Sequence, residues 1–233
     1  MLELPSGPLQ ERDPRFERLA LDVGELTYAL PGLGYREKLL LCLAGDVCRG
    51  HLGLALRLHV QALLAHGVPF ADLLATVRFV APYAGYPASA EALAALSAIG
   101  AELGAAAEDG ADAAAGLDGT ERDEAAALYE PSTTDDWFTR FAASTTGWAW
   151  RETRLGRIER AYLALAASVA MHSFDRSFRR HVELALEAGA TPAQVRNAVR
   201  FTSEFSVLDA DTALVELDAI LGPEPASTQE ARR

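Results

Sequence analysis

Two histidines lie on apolar helical faces in this chain. His59 has Ala55, Leu56, Ala62 and Leu63 three and four residues away. His181 has Phe178, Leu184 and Ala185 around it, with Ser177 as the polar exception. An imidazole in such a setting is either a hydrogen-bonded core residue or part of a pocket, and it titrates near neutral pH. Two glutamates recur in the same way. Glu37 heads an apolar stripe of Leu40, Leu41, Ala44 and Cys48, and Glu159 repeats this with Tyr162, Leu163 and Ala166. A carboxylate beside a histidine at an apolar pocket supports acid–base chemistry, because burial and pairing tune both groups. The same carboxylate in the first turn of a helix is also favourable charge against the helix dipole. Arg78 and Arg200, each followed by Phe, either pair with Glu37 or Glu159 across helices or clamp a substrate carboxylate.

Cys42 and Cys48 are the two cysteines, and Cys-x5-Cys spacing makes no disulfide framework. Both read as small buried hydrophobes. Cys48 shares the Glu37 face and is followed by His51, so a reactive thiol is its alternative reading. A metal centre needs three or four converging ligands. His51, His59 and Glu37 are too sparse for that, so no metal is expected. The chain contains no phosphate loop, dinucleotide fingerprint or Gly-x-Ser-x-Gly elbow, and no cofactor is expected.

The histidines belong to an internal repeat. His59 and His181 differ by 181 − 59 = 122 positions, and that one offset aligns the rest without gaps. Phe16 falls on Phe138, Glu37 on Glu159, Val47 on Val169, Gly67 on Gly189, and Val77-Arg78-Phe79 on Val199-Arg200-Phe201. Such a set is hard to reach by chance, even in an Ala-rich chain. The organisation is therefore a first module over residues 1–98, an acidic Ala/Gly-rich linker over 99–133, a diverged second module over 134–222, and a disordered tail over 223–233.

The elements that must position these residues are helices. Asp13-Pro14 is an N-cap followed by Pro at the first helical position, and Pro31-Gly32 ends that helix. Further helices are predicted from about Tyr35 to Cys48, His51 to His66 and Phe70 to Tyr83, with a fifth after Pro87. Thr191-Pro-Ala-Gln is a capping box in the second module. No alternating strand pattern is present, so the fold class is all-α, with two tandem modules related by a pseudo-two-fold axis.

The formal charge of −12 and pI near 4.9 argue against nucleic acid and anionic membrane surfaces as partners. No apolar run reaches membrane-spanning length, and the start of the chain lacks the features of a signal peptide. A cytoplasmic location is expected.

The stretch from Arg36 to Leu93 resembles the carboxymuconolactone decarboxylase family. The resemblance rests on Arg36-Glu37 at a helix start, on His59-Val-x-x-Ala-x-x-x-Gly67, and on the turn Tyr83-Ala84-Gly85-Tyr86-Pro87. The second module keeps Glu159, His181 and Gly189 but replaces the turn. A thiol-peroxidase branch of the superfamily carries Cys-x-x-Cys before the histidine. Here Leu52 and Ala55 hold those positions, as do Phe174 and Ser177, so thiol peroxidase activity is not expected. The resemblance implies a cofactor-independent lyase, decarboxylase or isomerase acting on a small organic acid, lactone or aromatic metabolite, in aromatic catabolism or specialised biosynthesis. It also implies a homo-oligomer, with a trimer expected for fused modules. On this reading His59 is the general acid/base and Glu37 orients it. Tyr83, Tyr86, Cys48, His51 and Arg78 line or serve the substrate pocket, and His181 with Glu159 form a second site. The competing reading is a non-catalytic small-molecule-binding or assembly protein in which both His–Glu sets are structural.

Overall fold

The computed structural model describes residues 9–105 and 133–224, and among these described residues there are ten α-helices. The first module supplies α1 (Pro14–Tyr28), α2 (Tyr35–Arg49), α3 (Leu54–Ala65), α4 (Phe70–Ala84) and α5 (Tyr86–Glu102). The second supplies α6 (Asp136–Trp150), α7 (Arg157–Ala170), α8 (Arg176–Glu187) and α9 (Pro192–Phe201). A 3₁₀ turn (Thr202–Glu204) then leads into α10 (Val207–Leu221). Among the described residues there is no strand. Most of the acidic linker and the end of the tail, the latter expected to be disordered, lie outside the described residues.

Local sequence explains the helix ends. Asp13 accepts hydrogen bonds from the backbone N–H groups of Arg15 and Phe16, which would otherwise be unsatisfied in the first turn. The helix α2 stops at Gly50, whose φ of 69° places it in the left-handed region that closes a helix without a Cβ clash. That glycine and Gly53 push the start of α3 to Leu54, three residues later than the sequence pattern predicts. The helix α5 runs from Tyr86 to Glu102. Thr191 and Gln194 form the predicted capping box at the start of α9.

The core is shared by the two modules. The paired helices α2 and α7 pack against each other and against α4, while α8 and α9 cover α7. Leu39, Leu43, Leu63, Phe79, Tyr162, Phe178 and Phe201 are fully buried. Each such aliphatic or aromatic side chain contributes about 1.5–3 kcal/mol by leaving water. A charged seam also joins the modules: Arg36 pairs with Asp72 at 2.7 Å and with Glu159 at 2.6 Å. Among the described residues no helix is long and apolar enough to cross a membrane.

Candidate functional site

His59 lies on α3 and faces the stripe of α2 that carries Cys42, Gly45, Asp46 and Arg49. These positions fall at i, i+3, i+4 and i+7, so one helix face presents them all. His59 Nδ1 is 2.6 Å from Asp46 Oδ2. The Asp46 side chain is completely buried, whereas 22% of the His59 side chain reaches solvent. The pair thus runs from the core to the surface.

Glu204 comes from the second module. Its Oε1 accepts from the Thr27 hydroxyl, and its Oε2 lies 3.6 Å from Cys42 Sγ. The Tyr28 hydroxyl is 3.4 Å from the same sulfur, on another side. His59 lies close enough to Cys42 for each to act on the other's charge. Phe205 closes the cluster, with its ring centroid 6.5 Å from His59 and 6.3 Å from His51. A Cβ placed on Gly45 would meet the Phe205 ring at 2.6 Å, so glycine is what lets the ring lie against α2. Gly45, Phe205 and Arg49, with Leu41 and Ala166, line a small cavity with room for about one water molecule.

The electrostatics follow from this burial. Removal from water works against a charged His59, but the Cys42 sulfur and Asp46 outweigh it and hold the imidazole's pKa up at about 11. Asp46 and Glu204 are both pushed above the usual carboxylate range by burial, opposed by their contacts with His59 and, for Glu204, Thr27. Burial likewise raises the Cys42 thiol. The Asp46 partner thus favours the charged imidazole, and burial makes the Glu204 carboxylate more basic than an exposed one.

The repeat gives this site a counterpart. His181 stands in place of His59, with Ser168 for Asp46, Ala164 for Cys42, Trp150 for Tyr28, Pro82 for Glu204 and Tyr83 for Phe205. His181 Nδ1 is 3.1 Å from the Ser168 hydroxyl, and Nε2 is 3.4 Å from the Tyr83 hydroxyl. Trp150 Nε1 donates to the same Tyr83 oxygen at 2.8 Å. The contacts are reciprocal: residue 83 of the first module serves the second module's histidine, and residue 205 serves the first module's. A two-fold relation between modules produces this pattern. Without a carboxylate, the buried His181 is depressed to about 4, mainly by desolvation, and stays neutral.

Several sequence-predicted residues are placed differently. Glu37 does not orient His59. Its carboxylate accepts from Gly34 N at 2.5 Å, capping α2, and it lies nine residues from Asp46, about 13 Å along the helix. Glu159 caps α7 in the same way and pairs with Arg36, so it does not join His181. Arg78 pairs with Glu152, and Arg200 with Glu224, rather than with Glu37 or Glu159. Tyr83 serves His181, not His59. Tyr86 begins α5 and is half exposed. Cys48 is half-buried on α2, and burial raises its thiol to about 12. His51 is at the mouth of the site, 4.0 Å from Asp46. Among the described residues no group of three or more His, Cys, Asp or Glu side chains is arranged to hold a metal ion.

Sequence reasoning missed Asp46, Cys42 and Glu204. The available signal was where the repeat fails: at each of these positions the first and second modules carry chemically different residues.

The carboxymuconolactone decarboxylase family model matches residues 14–98 and again 135–217. No curated protein matches the sequence. Among solved structures, the chain is similar to one from Burkholderia xenovorans LB400 whose name is that of a gamma-carboxymuconolactone decarboxylase subunit. The two share 20% identity with a TM-score of 0.58, over 93% of this chain and 91% of the other. At that identity the likeness concerns the fold.

Proposed function

The chain belongs to the carboxymuconolactone decarboxylase family, and from that premise we propose that it is a cofactor-independent acid–base enzyme acting on a small organic acid or lactone. The observation that carries this reading is the His59–Asp46 pair, anchored in the core and open to solvent at the imidazole. A protonated imidazole there attracts a substrate carboxylate and can donate a proton to carbon or oxygen. Glu204, made more basic by burial, is suited to take a proton in the same turnover. An imidazole that favours its charged form and a carboxylate made more basic by burial, both beside one sulfur, are an arrangement for proton transfer, and decarboxylation or double-bond migration in an unsaturated lactone acid is chemistry of that kind. Phe205 and His51 form the rim through which such a substrate would enter.

The test is turnover of a panel of unsaturated γ-lactone carboxylic acids, followed by ultraviolet absorbance and CO₂ release. The expected result is activity that falls at least a hundredfold in Asp46→Asn, consistent with loss of one preorganised acid–base group, and that is unchanged in His181→Leu. Activity that survives Asp46→Asn or depends on His181 would refute the assignment.

Self-association is part of the proposal. Phe16, Leu19 and Leu26 on α1, and Trp137, Phe138 and Phe141 on α6, are large apolar side chains left exposed in one chain. Phe16 and Leu19 fall on Phe138 and Phe141 at the 122-residue offset of the repeat. Paired apolar faces of this kind favour burial against further copies, and a homotrimer is expected.

A further inference from the structure

Cys42 is held like a nucleophile, and the fold does not require it to be. The second module packs the same positions with Ala164, Ser168 and Pro82 in place of Cys42, Asp46 and Glu204. A fully buried Asp46 carboxylate and a part-buried Glu204 carboxylate are costly to keep, and the one lies against His59 while the other lies against the Cys42 sulfur, so their retention calls for a use. Sγ–H points to Glu204 Oε2 at 3.6 Å, the Tyr28 hydroxyl lies 3.4 Å away, and His59 completes the surroundings. Lys38, donating to the carbonyls of Tyr28 and Leu30, adds positive potential near Glu204.

We propose that Cys42 is a nucleophilic thiol that adds to small conjugated electrophiles of the unsaturated lactone or unsaturated acid class, with Glu204 as its proton acceptor and His59 as the acid. The substrate class rests on the acid–base reading above; the reactivity of the thiol does not.

The step is balanced without any oxidant or reductant. The Cys42 proton passes to Glu204 Oε2. The imidazolium of His59 and the Tyr28 hydroxyl stabilise the thiolate. The sulfur lone pair forms a C–S bond at the β-carbon, the C=C π pair moves to the carbonyl as an enolate, and His59 protonates the enolate. The products are a thioether, a protonated Glu204 and a neutral His59. Reversal of the addition, with neutral His59 taking back the α-proton and Glu204 returning its proton to the sulfur, releases the α,β-unsaturated electrophile, and rotation about the Cα–Cβ single bond of the adduct lets an open-chain acid leave with its double-bond geometry changed.

Access to the buried sulfur is governed by Phe205. Its ring lies against Gly45, one turn along α2 from Cys42, and it follows a short 3₁₀ turn rather than sitting within a long helix. Motion of that ring would extend the single-water cavity toward the stripe that carries Cys42.

The test is alkylation of the full-length native protein, resolved by residue with peptide mass spectrometry and with Cys48 as the internal control. The probes are iodoacetamide and α-methylene-γ-butyrolactone. Cys42 is expected to react at least tenfold faster than Cys48. Its rate should stay nearly flat between about pH 6 and 9 because the proton acceptor is internal, while that of Cys48 climbs with thiolate formation. Glu204→Gln, checked for folding by circular dichroism, should slow Cys42 at least tenfold and leave Cys48 unchanged. Phe205→Ala should speed Cys42. The proposal is overturned if Cys42 reacts no faster than Cys48, or if its rate rises with pH in parallel with that of Cys48. It is equally overturned if a folded Glu204→Gln variant reacts like the wild type. Selective capture of iodoacetamide without any lactone adduct retains the nucleophile and refutes the electrophile class, separately from the turnover test.

Discussion

Replacing His59 by Gln tests the central pair through stability, independently of any substrate. The variant leaves the Asp46 carboxylate at zero side-chain exposure without its cation. Removing one partner of a buried ion pair costs about 3–5 kcal/mol, because the remaining charge is neither hydrated nor compensated. For a chain of this size that corresponds to a fall in melting temperature of roughly 6–20 °C. Asp46→Asn is milder, since an amide still accepts from His59 Nδ1–H, and should cost about 1 kcal/mol. The double variant has two neutral amides and no stranded charge. It should recover at least about 2 kcal/mol relative to the sum of the single changes. The pH dependence has a definite sign. Burial already raises Asp46, so acid neutralises the stranded carboxylate of the His59→Gln variant, and its deficit should shrink as pH falls from 7 to about 5. The assay is urea denaturation of all four proteins at both pH values. Additive single and double changes, with a deficit independent of pH, would refute the reading of His59 and Asp46 as a buried charged pair.

Other outcomes follow from the same geometry. His181 has a folded pKa depressed from 6.5 to about 4, so the unfolded chain binds a proton that the native state refuses between those values. Stability should therefore rise with pH across that window, by about 3 kcal/mol in total, and His181→Leu should flatten that part of the stability–pH curve. His172 has a φ of 54° at the position where the first module has Gly50; His172→Gly should raise stability by about 0.5–1 kcal/mol in thermal denaturation by relieving the left-handed strain. Gly45→Ala should displace the Phe205 ring and lower the melting temperature, an effect that Phe205→Ala should largely cancel in the double variant. Light scattering should give the mass of three chains, and Phe16→Glu combined with Phe138→Glu should reduce it to that of one.

Much of the fold was legible because helix signals are local. Pro14 after Asp13, the Thr191–Gln194 box and the glycines past α2 and α8 act within one turn, and short-range hydrogen bonding is enough to decide their outcome. The candidate site was legible only in part. His59 stood out by its apolar face, but its carboxylate did not, because Glu37 and Asp46 both share a helix with apolar neighbours and only their distances along α2 separate them. Glu37 sits at the N-terminus, where an unsatisfied backbone N–H captures its carboxylate, and Asp46 sits where α3 crosses.

By itself the sequence determined that there are two homologous helical modules, that both carry a histidine at the same place, and that their chemistry has diverged. Only the tertiary structure decided which groups meet. The reciprocal packing of the modules brings Glu204 to Cys42 and Phe205 to His59, and sends Tyr83 to His181. Contacts that span 98 to 162 positions of the chain depend on how whole helices stack to bury their apolar faces, and no local pattern records them.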